Sequence, residues 1–247
     1  MRFLYVVGFG LVSVALASAQ SAPVAHAPDG GVREFIQGLF VTPVPNAPFS
    51  GKLNGEFIRA LEGGGTITHK FVNVAARDSR GRVLFENRQF IGDDGKSQPV
   101  QEFTILDPQA KTRTMCVIAD KICRVARFRD VPMSNSATLP AGEFALGTRD
   151  MKRESLGSKT ISGLEVVGTR ETLTIKAGAA GNDRPIVSTK EFWYSPHLQV
   201  NLEIERTDPR TGKQTFRLTD LALGDPNANV FEIPPGYKVV RMERTTE

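Results

Sequence analysis

Three histidines, two cysteines and scattered serines and carboxylates are the reactive side chains of this 247-residue sequence. His26, His69 and His197 never stand at a His-x-His or His-Glu-x-x-His spacing. The sequence therefore offers no zinc site of the catalytic kind, which needs its ligands converging from one face. A serine nucleophile of the hydrolase type sits on a Gly-x-Ser-x-Gly turn, and that pattern does not occur. His69, beside Lys70, reads as a strand-face residue, and His197 follows Ser195-Pro196 as a turn residue. Gly92-Asp93-Asp94-Gly95-Lys96-Ser97 imitates the end of a phosphate-binding loop. It is too short between its glycines, puts two carboxylates where phosphate would sit, and opens no helix, so it reads as a hairpin turn. A pair of acid–base carboxylates is assembled in space and leaves no spacing to find. No catalytic residue, metal ligand or cofactor is assigned.

Cys116 and Cys123 are the only cysteines. They flank the turn at residues 118–121 symmetrically, one on each arm of a hairpin, at a position where opposed strands approach closely. In an oxidising compartment such a pair is expected to form a disulfide. Loop-closure entropy for so short a loop gives roughly 2–3 kcal/mol at most. Arg124, Arg127 and Arg129, with Phe128 among them, form a small basic cluster that reads as a solvated strand face.

The compartment is read from the first residues. Arg2 is a short positive region, residues 3–16 are an apolar run, and Ala17-Ser18-Ala19 is a small-x-small cleavage site before Gln20. That is a secretory signal peptide over residues 1–19, with a periplasmic or secreted product. The run is shorter than the roughly 20 residues of a membrane span, and no later run in the mature chain is long enough either. Loss of Arg2 takes the formal charge from +4 to +3. An exported, mildly basic chain makes nucleic acid an unexpected partner.

The elements that would position any site are strands. Residues 20–31 are Ala-, Pro- and Gly-rich and read as a flexible segment. Val32, Phe35, Ile36, Leu39 and Phe40 keep helical spacing, so residues 32–41 are expected as one short amphipathic helix. Short β-type runs then follow at 49–61, 66–77, 82–91, 101–106, 113–118, 122–129, 159–161, 164–175, 187–194, 198–206 and 214–223, split by Gly, Asp and Pro. They make about ten strands of one β domain over residues 32–240. Residues 130–150 read as a long loop or flap, and 241–247 as a tail. Leu198, Val200, Leu202 and Ile204 share one face, with Gln199, Asn201, Glu203 and Glu205 on the other. Phe192 and Tyr194 share a face and Trp193 takes the opposite one. An even register sets Phe216 against Ile204 and Leu218 against Leu202, and a bulge is expected near Gly168.

The segments RESLGSKTISGLEVVGTRETLTIKAGAAGNDRPI, EFWYSP and DPNANVFEIPPGYKVV resemble a group of uncharacterised exported bacterial β-proteins. More distantly, strands ending in F-x-I-P-x-G-Y look like the lipoprotein-carrier (LolA-like) architecture. That resemblance implies a mainly β fold, a curved antiparallel sheet forming a half-open barrel around an apolar cavity. A fully folded-over sheet would instead cover itself as a sandwich; the shortage of helix and the resemblance favour the half-open form. Phe192, Tyr194, Leu198, Val200, Leu202 and Ile204 are then the expected apolar lining. The expected partner is a lipid or other apolar ligand, or a cell-envelope component, held without catalysis. The competing readings are an envelope hydrolase and a structural interaction module.

Overall fold

The computed structural model describes residues 39–92, 95–96, 98–127, 142–143 and 147–242. The expected signal peptide, the segment 20–31, most of the helix expected at 32–41, most of the loop 130–150 and Phe128–Arg129 of the basic cluster lie outside them. At the described end of that helix, Leu39–Val41 carry neither helix nor strand.

Two antiparallel meanders make the molecule. The first comprises β1 (Phe49–Ala60), β2 (Thr66–Arg77), β3 (Val83–Arg88), β4 (Val100–Asp107), β5 (Thr112–Val117) and β6 (Ile122–Arg127). The second comprises β7 (Gly142–Glu143), β8 (Arg149–Ile161), β9 (Leu164–Ile175), β10 (Ile186–Ser195), β11 (Val200–Asp208) and β12 (Gly212–Leu223). β12 returns to pair with β1, which fuses the meanders, and β13 (Lys238–Arg241) adds in parallel to β6. The result is one 13-stranded sheet running β13-β6-β5-β4-β3-β2-β1-β12-β11-β10-β9-β8-β7. Its edge strands β13 and β7 do not pair with each other, so the sheet is curved and unclosed: a half-open barrel. The short strands β7 and β13 are additions to those read from the sequence, and β8 begins well before residue 159.

Register follows the alternation. Ile204 pairs with Phe216, as the even register requires, and the paired ladder ends at Glu203 and Arg217, one position short of Leu202 and Leu218. The slip in alternation expected near Gly168 is there, buried residues changing parity at Gly168 and Thr169, while the extra residue of the ladder stands on the facing strand. β8 slips between Ser155 and Gly157, opposite Thr169 and Gly168, and β10 slips against β11 after Trp193. Gly168 is where Trp193 crosses: a Cβ there would lie 2.5 Å from the indole ring. Trp193 is partly buried against the main core, with the Lys159 ammonium 4.0 Å from its ring centre. Gly55 plays the same part on the inner face, opposite Phe71, where a Cβ would meet the phenyl ring at 2.2 Å. Both are aromatic rings laid over cross-strand glycines.

The inner face carries the main core: Phe49, Leu53, Phe71, Val83, Val166, Phe192, Leu202, Ile204, Phe216 and Leu218, with Leu39 and Val41 laid across it. The outer face of β2–β6 has a second core of Ala76, Leu84, Phe103, Ile105 and the cysteines. The C-terminal arm covers it. Phe231, in a single turn of 3-10 helix at Ala228–Phe231, is buried there with Ile233 and Tyr237 packed beside it. Arg82 stacks on the Phe231 ring at 4.7 Å. The F-x-I-P-x-G-Y segment is therefore a clasp over the back of the sheet, from which β13 continues, rather than the end of a strand.

Candidate functional site

The site begins with the strap at residues 39–47. Arg77, the last residue of β2, is completely buried. Its Nε and Nη2 donate to the Ala47 carbonyl at 2.8 and 2.7 Å, its Nη1 donates to the Thr42 carbonyl at 2.7 Å, and Nη2 also donates to the Leu198 carbonyl. Desolvation draws the guanidinium down to about 10, partly opposed by nearby Tyr194, and it stays cationic at neutral pH. Burial pushes the Tyr194 hydroxyl up. This clamp presses Leu39 and Val41 into the inner face at one end of the barrel.

At the other end of β1 and β2 no such strap lies over the face among the described residues. The β1–β2 turn at Gly63–Gly65 pairs Phe57 with His69 and Gly55 with Phe71. Phe57, His69 and Phe71 share the inner face. The β3–β4 connection returns over them: the Ile91 amide donates to the Lys70 carbonyl at 2.6 Å, and Phe90 stacks on His69 with centroids 4.7 Å apart. Phe57, Phe71 and Phe216 interlock behind, with centroids at 5.6–6.2 Å. Between these walls is an open cavity of about 970 Å³. Its floor is Phe57, Phe71, Ile67 and Phe90, and its rim carries Arg59, Arg88, Arg210 and several amides. Phe90 and Ile67 remain 50% and 40% exposed.

A row of paired residues runs from the far edge into this floor: Arg153, Glu171, Lys190, Arg206, Gln214, Phe57 and His69, one on each of seven neighbouring strands. Arg153 Nη2 meets Glu171 Oε1 at 2.7 Å. Beside the row, Asp208 accepts from Ser188 Oγ at 2.7 Å, Arg206 Nη2 at 3.0 Å and Arg210 Nη2 at 2.7 Å. Burial pushes the Asp208 carboxyl up, but the hydrogen bonds from Arg210 and Ser188 outweigh it and hold the group far below the usual carboxylate range. The apolar stripe read along β11 thus becomes charged after Ile204. Arg206 and Asp208 keep its parity and were the available signal.

The residues expected as lining lie elsewhere. Phe192, Leu198, Val200, Leu202 and Ile204 are at most 1% exposed, inside the main core beneath the strap. Tyr194 is half-buried, near Arg77. None of the six lines the open cavity. Asn201, expected on the wet face, is buried because of the slip between β10 and β11. Cys116 and Cys123 are directly opposed, bonded, with Cα atoms 4.0 Å apart and both fully buried.

Chemically, the cavity lining has, among the described residues, one imidazole but no carboxylate, thiol or serine. His197 lies in the β10–β11 turn, next to Leu198 and hence at the Arg77 end of β2. His69 is eight residues back along that strand, roughly 26 Å away. Among the described residues no three His, Cys, Asp or Glu side chains gather as metal ligands, and no helix is long and apolar enough to cross a membrane.

The chain is similar to solved structures of MucB, of a LolA superfamily protein and of a DUF1329 family protein. MucB matches at 14% identity and a TM-score of 0.34, over 79% of this chain and 60% of MucB. A LolA superfamily protein from Nitrosomonas europaea matches at 10% identity and a TM-score of 0.31, over 76% and 91%. A DUF1329 family protein from Desulfovibrio piger matches at 12% and 0.29, over 75% and 90%. The chain thus spans 60% of the length of the MucB structure. Likeness at this level says nothing of ligand, partner or chemistry. No family model and no curated protein matches the sequence.

Proposed function

We propose that this chain is an exported, non-enzymatic protein that holds an apolar ligand, or an apolar segment of an envelope partner, in the open end of its half-barrel. The observation that carries this is the aromatic-floored cavity between Phe57, Phe71 and Phe90. Its volume, about 970 Å³, is at the upper end of the roughly 300–1,000 Å³ of small-molecule sites. Large side chains left in contact with water there forgo roughly 1.5–3 kcal/mol each, which favours an occupant. The leader-like first residues and the Cys116–Cys123 bridge support an oxidising, extracytoplasmic compartment.

The test has two arms. Protein purified from its own envelope is weighed by native mass spectrometry, where a co-purifying small molecule is expected. Recombinant protein is titrated with a neutral lipophilic dye, and Ile67→Asp, which puts a carboxylate on the cavity floor, is expected to abolish the fluorescence gain. Folded protein that binds no dye, or dye binding indifferent to Ile67→Asp, overturns the proposal.

A further inference from the structure

Resting on that binding reading, we infer that the cavity selects amphiphiles with an anionic head group, and that Arg59 is the residue that receives the head.

Among the described residues the lining holds three guanidinium groups and no carboxylate. Two of the three are engaged. Arg88 donates to Glu86 Oε2 at 2.6 Å and to the Gln98 carbonyl at 3.1 Å. Arg210 donates to Asp208 Oδ2 at 2.7 Å. Arg59 is exposed and has no ion pair among the described residues. It follows Phe57 at the next inward position of β1, so a head held by Arg59 leaves its tail on the aromatic floor.

The neighbouring turn narrows the mouth at that point. Gly212 lies so close to β1 that a Cβ on it would fall 2.1 Å from the Ile58 carbonyl oxygen and 3.1 Å from the Arg59 Cα. Arg210 and Thr211, in the same turn, complete this side of the rim. The nearby acids Glu56 and Glu102 are already paired and are not among the lining residues. Glu56 holds Lys70 at 3.0 Å, and both have the opposite strand parity from Phe57 and His69. Asn87 Nδ2 donates to Glu102 at 3.0 Å. A negative head meets a guanidinium and, among the described lining residues, no repelling carboxylate; a positive head meets the reverse.

The experiment is displacement of a neutral dye from the full chain by four amphiphiles of equal tail length, each below its micelle concentration: dodecanoate, dodecyl phosphate, dodecanol and dodecyltrimethylammonium. The two anions are expected to displace at about fivefold lower concentration than dodecanol, the gap of one partly exposed charge-assisted contact. The cation is expected to be the weakest. Whichever anion displaces at the lower concentration assigns a carboxylate or a phosphate head. Arg59→Ala is expected to close the gap between the anions and dodecanol, and added salt to narrow it in the unsubstituted protein. Equal displacement by all four amphiphiles, or a gap that survives Arg59→Ala, overturns the head-group assignment alone. Absence of dye binding overturns it together with the binding reading.

Discussion

Arg77, at the end of β2, donates a hydrogen bond to the carbonyl oxygen of Leu198, in the turn that leads into β11. Three strand spacings separate β2 from β11 in the sheet, roughly 14 Å if it were flat. The bond exists because the sheet curls around the strap, and the same guanidinium holds the strap through Thr42 and Ala47. Arg77→Leu leaves three buried carbonyl oxygens without this donor, and orphaned buried polar groups cost about 1–3 kcal/mol each. We expect a loss of about 3 kcal/mol or more in urea denaturation. Arg77→Lys should recover little, since an ammonium lacks the planar fork that spans these carbonyls. A Lys variant as stable as the original protein would show that curvature does not depend on the clamp.

Asp208 sets the acid limit of the fold. Its carboxyl is buried, joins Ser188, Arg206 and Arg210, and titrates well below the ordinary value of 3.8. A carboxyl depressed in the folded state contributes stability that is present above its unfolded pKa and is lost as pH falls below it. The protein is therefore expected to lose stability as pH drops below about 4. Asp208→Asn, which leaves buried Arg206 without its carboxylate, should cost about 3–5 kcal/mol at neutral pH and flatten the acid slope. Denaturation curves from pH 7 to pH 3 measure both, and an unchanged slope would refute the assignment.

The glycines opposite Phe71 and Trp193 are expected to be intolerant of a methyl group. In Gly55→Ala the new Cβ would overlap the Phe71 ring, and in Gly168→Ala the Trp193 indole. Forcing an extra methyl into a packed site costs about 1–3 kcal/mol. Because the clash is with a ring, Phe71→Leu should relieve part of the cost of Gly55→Ala. A double-mutant cycle reads that coupling, and strict additivity would show that the ring is not the obstacle.

What was legible in the sequence was whatever neighbouring residues decide. The even parity of Leu198–Ile204 gave the pairing of Ile204 with Phe216, and the symmetric turn between Cys116 and Cys123 gave the bridge. The slips opposite Gly168 were harder, because the extra residues sit in β8 and β11 while the visible irregularity is the glycine in β9. The cavity was half legible. The tight Gly63–Gly65 turn dictates that Phe57 meets His69, but the return of Phe90 over them comes from a connection without periodicity. By local pattern alone the stripe Phe192–Ile204 reads as a surface awaiting a ligand, because the strap that covers it is held by Arg77, a long-range contact that no local pattern announces.

The C-terminal arm and the disulfide are expected to protect each other. Both cysteines are fully buried in the small outer core that Phe231 closes. Thiol–disulfide exchange needs access to a sulfur, so a reductant should act on the native protein slowly. Phe231→Ala should cost about 3–5 kcal/mol and speed reduction of the native bridge. Timed alkylation after addition of reductant, read by intact mass, follows the rate. Equal rates in the two proteins would mean that the arm does not shield the bridge.

Phe90 separates binding from stability. Its ring touches His69, Phe57 and Phe71 at centroid distances of 4.7, 6.2 and 6.4 Å, yet the residue is 50% exposed. An aromatic ring in that position contributes a wall to the cavity while burying little of itself in the core. Truncating it should therefore cost less stability than removal of a fully buried phenylalanine, under about 1 kcal/mol. A ligand that uses the wall loses its contact with the ring, an anchor worth about 1–2 kcal/mol, so the dye dissociation constant should rise by about 5- to 30-fold. Phe216→Leu is the comparison: that ring is fully buried behind the cavity, so its loss should lower the unfolding midpoint more and move dye affinity less. If Phe90→Ala leaves dye affinity unchanged while the protein stays folded, the ligand does not lie between Phe57, Phe71 and Phe90.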